Sequence, residues 1–333
     1  MTEDTRPLMV TIQCITYNHE PYIRQCLEGF VMQKANFRFE AIIHDDASTD
    51  GTAAIVREYA EKYPDIIKPI FETENQYSKS GGFESLQKIM DDHTHGKYVA
   101  ICEGDDYWID SLKLQKQVDF LEDNPDYGMC YTDFDIQDDI RKEYIKSLFK
   151  NNPQKFPKTY TIEEWLSRTG YTAPMTWCMK RDVLLMTPPI YSTDRSFVVF
   201  AHFLYICKVY CLNDVTAVYR IAWGSVTHST SIKQGYNRLE GLHQIQTILI
   251  KKYLPKERQS IVLNQVDQCY FSTGLKIFVL LGMYDKVLLA KRFFNGKTTL
   301  SQKILLSIPQ NKIIEQSARF FYTKYLKSKK LID

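Results

Sequence analysis

No apolar run in this chain reaches membrane-spanning length. The longest, Phe197 to Ile206 and Ile277 to Tyr284, are about half of the roughly 20 residues that a spanning helix needs, so no transmembrane segment is expected. Glycine is missing where the nucleotide fingerprints require it. The first one, Gly29, falls inside a helical pattern, so the opening βα turn carries no GxGxxG, and no GxxxxGK(S/T) follows any strand. That argues against a nicotinamide-binding turn and against a phosphate loop of the ATPase kind. The DxDxT order of aspartyl-nucleophile phosphatases is also missing, since Asp45-Asp46-Ala47-Ser48-Thr49 does not supply it.

Cysteine pairs at redox or zinc spacing are lacking too. The eight cysteines lie mostly inside apolar runs with no CxxC, and the polar N-terminus has no signal-peptide pattern. The expectation is a reduced, cytoplasmic protein. Cys207 and Cys211 read as buried small hydrophobes, because no second pair stands at zinc spacing. The formal net charge of +2 over 333 residues gives no reason to expect a nucleic-acid partner. There is no internal repeat.

What the sequence does have is acid at the ends of strands. Tyr98 to Ile101 is a short apolar run that delivers Glu103, Asp105 and Asp106, three carboxylates within four positions. Hard oxygen ligands gathered at one point suit Mg2+ or Mn2+ holding a phosphate; the competing reading is a solvated loop or helix cap. Upstream, Phe39 to Thr52 repeats the arrangement, a strand ending in Asp45-Asp46 and then a turn and a helix start. Two acid clusters of one kind favour a metal-diphosphate site.

Strand and helix patterns alternate through the first 135 residues. Strands are expected at Val10–Thr16, Phe39–Asp45, Ile66–Phe71, Lys97–Cys102 and Gly128–Phe134, and helices at Pro21–Gln33, Thr52–Tyr63, Gly82–Asp92 and Ser111–Leu121. Such a series makes an α/β fold with a mostly parallel, Rossmann-like sheet and helices on both faces. Ligands bind outside the carboxyl ends of such strands, where both acid clusters fall. Residues 135–157 break the pattern and read as a loop or insertion, and 161–223 as a second α+β stretch. Beyond Ser231 the chain reads as helices, with Leu242, Ile245, Ile248 and Leu249 at helical spacing. From Lys303 to Asp333 seven basic residues face two acids among apolar ones. This basic tail is either a contact to an anionic membrane surface or a solvated helix face.

Ordered motifs along residues 8 to 230 resemble the family-two glycosyltransferases of the GT-A fold, in their non-processive bacterial form. Val10 to Asn18 is similar to that family's first strand and its TYN turn. Cys26-Leu27-Glu28-Gly29-Phe30 with Gln33 is similar to its first helix. Phe39 to Thr52 is similar to its DDGSTDGT stretch, with Ala47 at a glycine position. Glu103-Gly104-Asp105-Asp106 resembles its DxD motif, with Glu103 for the first Asp. Thr193-Asp194 and Ala217-Val218-Tyr219-Arg220 resemble its late acid and its VYR strand. The QxxRW motif of processive synthases is absent, which implies a single transfer per encounter.

The resemblance implies a GT-A domain over 1–230, with a nucleotide-sugar-binding half at 1–135 and an acceptor-binding half at 136–230, followed by a helical region at 231–333. It implies an inverting transfer of one sugar from a nucleotide diphosphate sugar, UDP-linked, to a hydroxyl of a saccharide or lipid-linked saccharide, as in surface polysaccharide synthesis. Asp105, with Asp106 and Glu103, would hold the Mn2+ or Mg2+ and the donor. Asp46 would accept from the uracil N3–H, and Thr16, Tyr17 and Asn18 would lie against the base. Asp194 would be the general base, or else a helix cap. His228 would complete the metal shell or close over the diphosphate, unless it is an ordinary loop histidine. Trp108 and Trp177 are sugar platforms or core. Two other classes stay open: a nucleotide-sugar binding protein without turnover, to which Glu103 lends weight, and a sugar nucleotidyltransferase. The last would want a Gly-rich, Arg-containing loop where Tyr17-Asn18-His19-Glu20 stands.

Overall fold

A computed structural model of the chain describes residues 5–79, 82–167, 173–190, 194–222, 231–294 and 299–307. In chain order the elements are β1 (Leu8–Thr16), α1 (Ile23–Val31), β2 (Arg38–Asp45), α2 (Thr52–Lys62), β3 (Ile67–Phe71), α3 (Gly82–Asp92), β4 (Tyr98–Ile101), β5 (Tyr107–Trp108), α4 (Lys113–Asp123), β6 (Tyr127–Asp138) and β7 (Glu143–Ile145). Then follow α5 (Ile162–Leu166), β8 (Cys178–Lys180), α6 (Arg181–Leu185), α7 (Arg195–Ile206), β9 (Lys208–Ile221), α8 (Ile232–Tyr253), α9 (Lys256–Leu280), α10 (Tyr284–Ala290) and α11 (Leu300–Ser307). The chain divides into two compact units: residues 1–160, 171–191 and 202–223 form one, and 161–170, 192–201 and 224–333 the other.

The first unit is built on one sheet, in the order β3-β2-β1-β4-β8-β6-β9-β5, with β7 against β6. Its central strand, β1, is covered on both faces: Val10, Ile12 and Cys14 on one and Thr11 on the other have no exposed surface. Two of its buried polar side chains, Thr11 and Gln13, are paired, as burial demands. Thr11 Oγ1 donates to Glu40 Oε1 at 2.9 Å and accepts from the amides of His95 and Gly96, while Gln13 Nε2 donates to Thr94 Oγ1 at 2.8 Å. These bonds tie β1 to β2 and to the turn that opens β4.

Strands β3, β2, β1 and β4 run parallel, as do β6 and β9, whereas β8, β5 and β7 pair antiparallel. The parallel sheet expected from the apolar runs is present in the strands that show such runs. The antiparallel strands are two or three residues long, too short to display a period of two. Gly29, inside α1, has a packing reason: a Cβ there would lie 2.9 Å from the backbone N of Trp108, so α1 can approach β5 only without one.

Residues 135–157 differ from the expected loop at their start, because β6 continues to Asp138 and β7 follows. The acids that broke the apolar pattern are loop anchors. Asp133 accepts from the amides of Phe149 and Lys150, and Asp135 from that of Ser147.

The second unit is helical. Trp165 stacks on Phe197 with ring centroids 5.2 Å apart and lies 4.2 Å from Phe200, and Gln246 Nε2 donates to the Leu166 carbonyl. On α8, Ile245 and Leu249 are buried, Leu242 is partly buried and Ile248 is half exposed, so the four expected positions do not form one dry stripe. Tyr270, Phe271, Leu275, Phe278, Val279, Val287, Ala290 and Leu306 form its core. At the edge of that core Lys286 Nζ donates to Glu240 Oε2 at 2.7 Å, and Tyr270 Oη donates to the same oxygen. Burial alone would raise the Glu240 carboxyl, but these donors hold it at about 2. Among the described residues no helix is long and apolar enough to cross a membrane.

Candidate active site

The carboxyl ends of β1 and β2 finish side by side, with Thr16 paired to Asp45, and the turns that follow are braced to each other. Asn18 N donates to Ser48 Oγ at 2.9 Å, and Asn18 Oδ1 accepts from Thr49 N at 2.8 Å. His19 N donates to Thr52 Oγ1 and Glu20 N to Asp50 Oδ2, while Glu20 Oε2 accepts from Gly51 N. Asn18 and Ala47 both have φ near 60°, a region that Asn tolerates and Ala enters at a cost of about 1 to 2 kcal/mol. Ala47 thus keeps the backbone that a glycine would adopt freely. At the tip of this double turn Tyr17 is 43% exposed.

Asp46 sits beneath the same tip. Its amide donates to the Thr16 carbonyl, and its carboxylate accepts from the amides of Gln76 at 2.6 Å and Tyr77 at 3.0 Å. The residue is 1% exposed. Asp46 therefore shapes the loop after β3, and it can reach a bound base only through the lone pairs those two bonds leave. A sequence pattern does not show where a loop 30 residues away lends its amides.

The second acid cluster is the turn between β4 and β5. Gly104 N donates to the Ile15 carbonyl and Asp106 N to that of Glu103, and β5 pairs with β9 through Tyr107 to Val218 and Trp108 to Ala217. Gly104 is held tightly: a Cβ there would lie 2.6 Å from Thr16 Oγ1 and 2.9 Å from His19 Nδ1. Those two atoms are buried without a hydrogen-bond partner among the described residues. Burial lowers the His19 pKa, opposed by the charges of Asp105, Asp50 and Asp45. The TYN turn is thus directly over the DxD-like turn, and His19 belongs to the site although the motif reading stopped at Asn18.

The three carboxylates of the turn are unlike. Asp106 is 4% exposed, and its Oδ1 accepts from Arg220 N at 2.8 Å. Burial and then the charges of Asp105 and Glu103 push its pKa well up. Glu103 is pushed up to about 7, by burial first and by Asp105 second. The Asp105 carboxylate, by contrast, is partly exposed and accepts no hydrogen bond from the described residues. Among the described residues no three Asp, Glu, His or Cys side chains close into a cage for a metal ion. Mg2+ and Mn2+ do not need one, since they are held by one or two carboxylates with waters and substrate phosphates. An unpartnered carboxylate between two that repel it fits such an ion.

Arg220, on β9, stands in the VYR run, where the sequence alone assigns it no role. It is 5% exposed and its guanidinium donates to the Asp105 carbonyl, which ties it to the turn. The signal was available in the VYR run, but the contact crosses 115 positions of chain. Asp194 belongs to the second unit, where its side chain is 13% exposed and Oδ1 accepts from Arg238 Nη2 at 3.4 Å. Burial raises its pKa and Arg238 opposes the rise. His228 lies outside the described residues, as does the tail beyond residue 307. Trp108 and Trp177 are 2% and 1% exposed, and Trp108 Nε1 donates to the Met175 carbonyl. Both are core and not sugar platforms.

A family model described as Glycosyl transferase family 2 matches residues 11–185. An uncharacterized protein of Mycobacterium tuberculosis is 44% identical over 122 residues, 37% of this chain and 34% of that protein. The match thus spans about a third of that relative's length. Among solved structures, Staphylococcus aureus TarS 1-349 in complex with UDP-GlcNAc is similar with a TM-score of 0.64 at 16% identity, over 95% of this chain and 92% of that one. The mannosyltransferase PcManGT from Pyrobaculum calidifontis, in complex with GDP-Man and Mn2+, gives 0.53 at 18% identity, over 95% and 88%. At these identities what the two share with this chain is the fold.

Proposed function

We propose a function from one premise: the chain belongs to glycosyl transferase family 2. It moves one sugar from a nucleotide diphosphate sugar, UDP-linked, to a hydroxyl of a saccharide or lipid-linked saccharide, with inversion and with Mn2+ or Mg2+, as in surface polysaccharide synthesis. The observation that carries this reading is the partly exposed Asp105 carboxylate, which accepts no hydrogen bond from the described residues and stands between Glu103 and Asp106 in the turn after β4. The UDP-GlcNAc bound by TarS and the GDP-Man and Mn2+ bound by PcManGT support the donor class and the ion.

In this reading Asp105 is the direct ligand, with Asp106 and His228 completing the shell and Glu103 beside the donor. The ion would supply Lewis-acid neutralisation of the leaving diphosphate. Thr16, Tyr17 and Asn18 hold the base, with Tyr17 presenting its exposed ring to it. Asp194 takes the proton of the acceptor hydroxyl, and burial raises its proton affinity against the charge of Arg238, the direction that a general base needs. The free cysteines fit a reducing cytoplasm. The basic tail is proposed as the contact to an anionic membrane near a lipid-linked acceptor, each basic residue contributing roughly 1 kcal/mol. Removing residues from Ile314 onward should abolish co-sedimentation with anionic liposomes while leaving activity on a soluble acceptor. Equal partitioning of both proteins would end the membrane role.

The function is tested by a thermal-shift screen of UDP-, GDP- and TDP-sugars with and without Mn2+, because a ligand that binds the native state stabilises it by RT ln(1 + [L]/Kd). Stabilisation by UDP-sugars with Mn2+ is expected. No shift with any of them would overturn the donor reading. A second reading, a nucleotide-sugar binder without turnover, rests on Glu103 at the first position of the DxD-like turn. Donor hydrolysis in Mn2+ excludes it.

Base selection should depend on Asp46. Asp46→Asn turns one acceptor into an NH2 that faces a loop amide, and an unmet buried donor costs about 1 to 3 kcal/mol. UDP affinity should fall by roughly tenfold or more, since 1.4 kcal/mol is a factor of ten. Calorimetric titration with unchanged affinity would place the nucleotide elsewhere.

A further inference from the structure

Arg220 is buried where a turn rich in carboxylates meets four other segments. Nε donates to the Asp105 carbonyl at 2.9 Å, Nη1 to Asp139 Oδ2 at 3.1 Å and Nη2 to Gln25 Oε1 at 2.6 Å. Its own amide donates to Asp106 Oδ1. The guanidinium carbon lies 4.9 Å from the ring centroid of Tyr22 and 5.2 Å from that of Tyr107. One side chain thus connects α1 and the turn before it, the acid turn, β5 and the segment after β6.

We propose that Arg220 is the positioning residue of the ion site: it fixes the main chain of the 103–106 turn so that the Asp105 carboxylate stays open to the ion. The proposal rests on the donor reading above. Three ionised carboxylates in four positions of one turn repel one another. Unrestrained, the turn relieves that repulsion by spreading. Arg220 opposes this twice, by its charge and by holding the Asp105 carbonyl from below while β9 holds Asp106. Geometry makes the residue specific. Three acceptors in different directions and two flanking rings suit a planar fork of five donors, and a lysine ammonium cannot meet them together. The Asp105 side chain is left outside the network, so the restraint costs the ion none of its ligand.

The test is the Mn2+ dependence of UDP binding, measured by calorimetry on folded protein well below each variant's melting point. Arg220→Lys should raise the Mn2+ concentration for half-maximal effect by about 10-fold or more, the size of change that groups orienting a metal ligand usually produce. Metal-free UDP binding should stay within about twofold, because Arg220 holds a carboxylate turn and not the base. Asp139→Asn keeps an acceptor for the guanidinium and leaves the Asp105 contact, so its Mn2+ constant should match wild type. An unchanged constant in Arg220→Lys overturns the proposal. So does an equal shift in Asp139→Asn, which would mean a general loosening of the fold. If Arg220→Lys is not folded at the assay temperature, Gln25→Met removes one arm of the fork while keeping its bulk, and a shift in the same direction is required. The two readings fail separately: wild type that binds no UDP with Mn2+ discards the donor reading, whereas wild type that binds while Arg220→Lys behaves identically discards only this one.

Discussion

Asp105→Ala abolishes Mn2+-dependent UDP binding, lowers turnover by on the order of 10³-fold, and leaves the apo protein at least as stable as wild type. The size of the loss is that of removing one preorganised electrostatic contact to developing charge. The stability outcome follows from the contacts. The Asp105 carboxylate accepts no hydrogen bond from the described residues, so none of them loses a partner. Burial first and the Asp105 charge second raise the pKa of both Glu103 and Asp106, so removing that charge relieves the second of these. A residue placed for folding would behave in the opposite way, losing stability with activity. Melting curves without metal and titrations with it separate the two. Full activity in EDTA, or a melting point that collapses in Asp105→Ala, would discard Asp105 as the ligand.

The reason that this much could be read from the sequence is local. Strands β1, β2 and β4 are largely buried and appear as apolar runs, and the acids stand at or immediately after the ends of β2 and β4, so spacing alone put Asp45, Asp46, Glu103, Asp105 and Asp106 at one end of a sheet. Contacts set by tertiary structure were not readable in this way. Asp46 looks like a free acid until Gln76 and Tyr77 bring their amides to it. Trp108 looks like a platform until Phe30 and Lys113 close over its ring. Strands β5 and β8 are too short for any periodicity, yet β5 is the strand that pins the acid turn to β9. Arg220 is invisible as a partner of Asp105 because only the β5 to β9 pairing brings them together. Local chemistry showed where the acids stand, and the long-range pairing shows what holds their turn.

The base is the step with the thinnest local signal, and Asp194→Asn is its test. The side chain is 13% exposed and burial raises its proton affinity against the charge of Arg238. The direction is right for a base, since a carboxylate held at the usual acidic value takes a proton weakly. Asparagine keeps the size and one acceptor oxygen but cannot take the proton of the acceptor hydroxyl. Turnover should therefore fall by at least the ~10² typical of a lost general base, while donor affinity stays near wild type. The ion pair with the half-exposed Arg238 is 3.4 Å long, and a contact of that kind contributes about 0 to 1 kcal/mol. The same mechanism fixes the stereochemistry, because a base that activates the acceptor from the face opposite the leaving group inverts the anomeric carbon. Two measurements then bear on one residue, single-turnover rates of Asp194→Asn and the anomeric configuration of the product. If the variant keeps most of its turnover and the product is inverted, another carboxylate is the base. A product with retained configuration removes the need for a single base altogether, and with it the role proposed for Asp194.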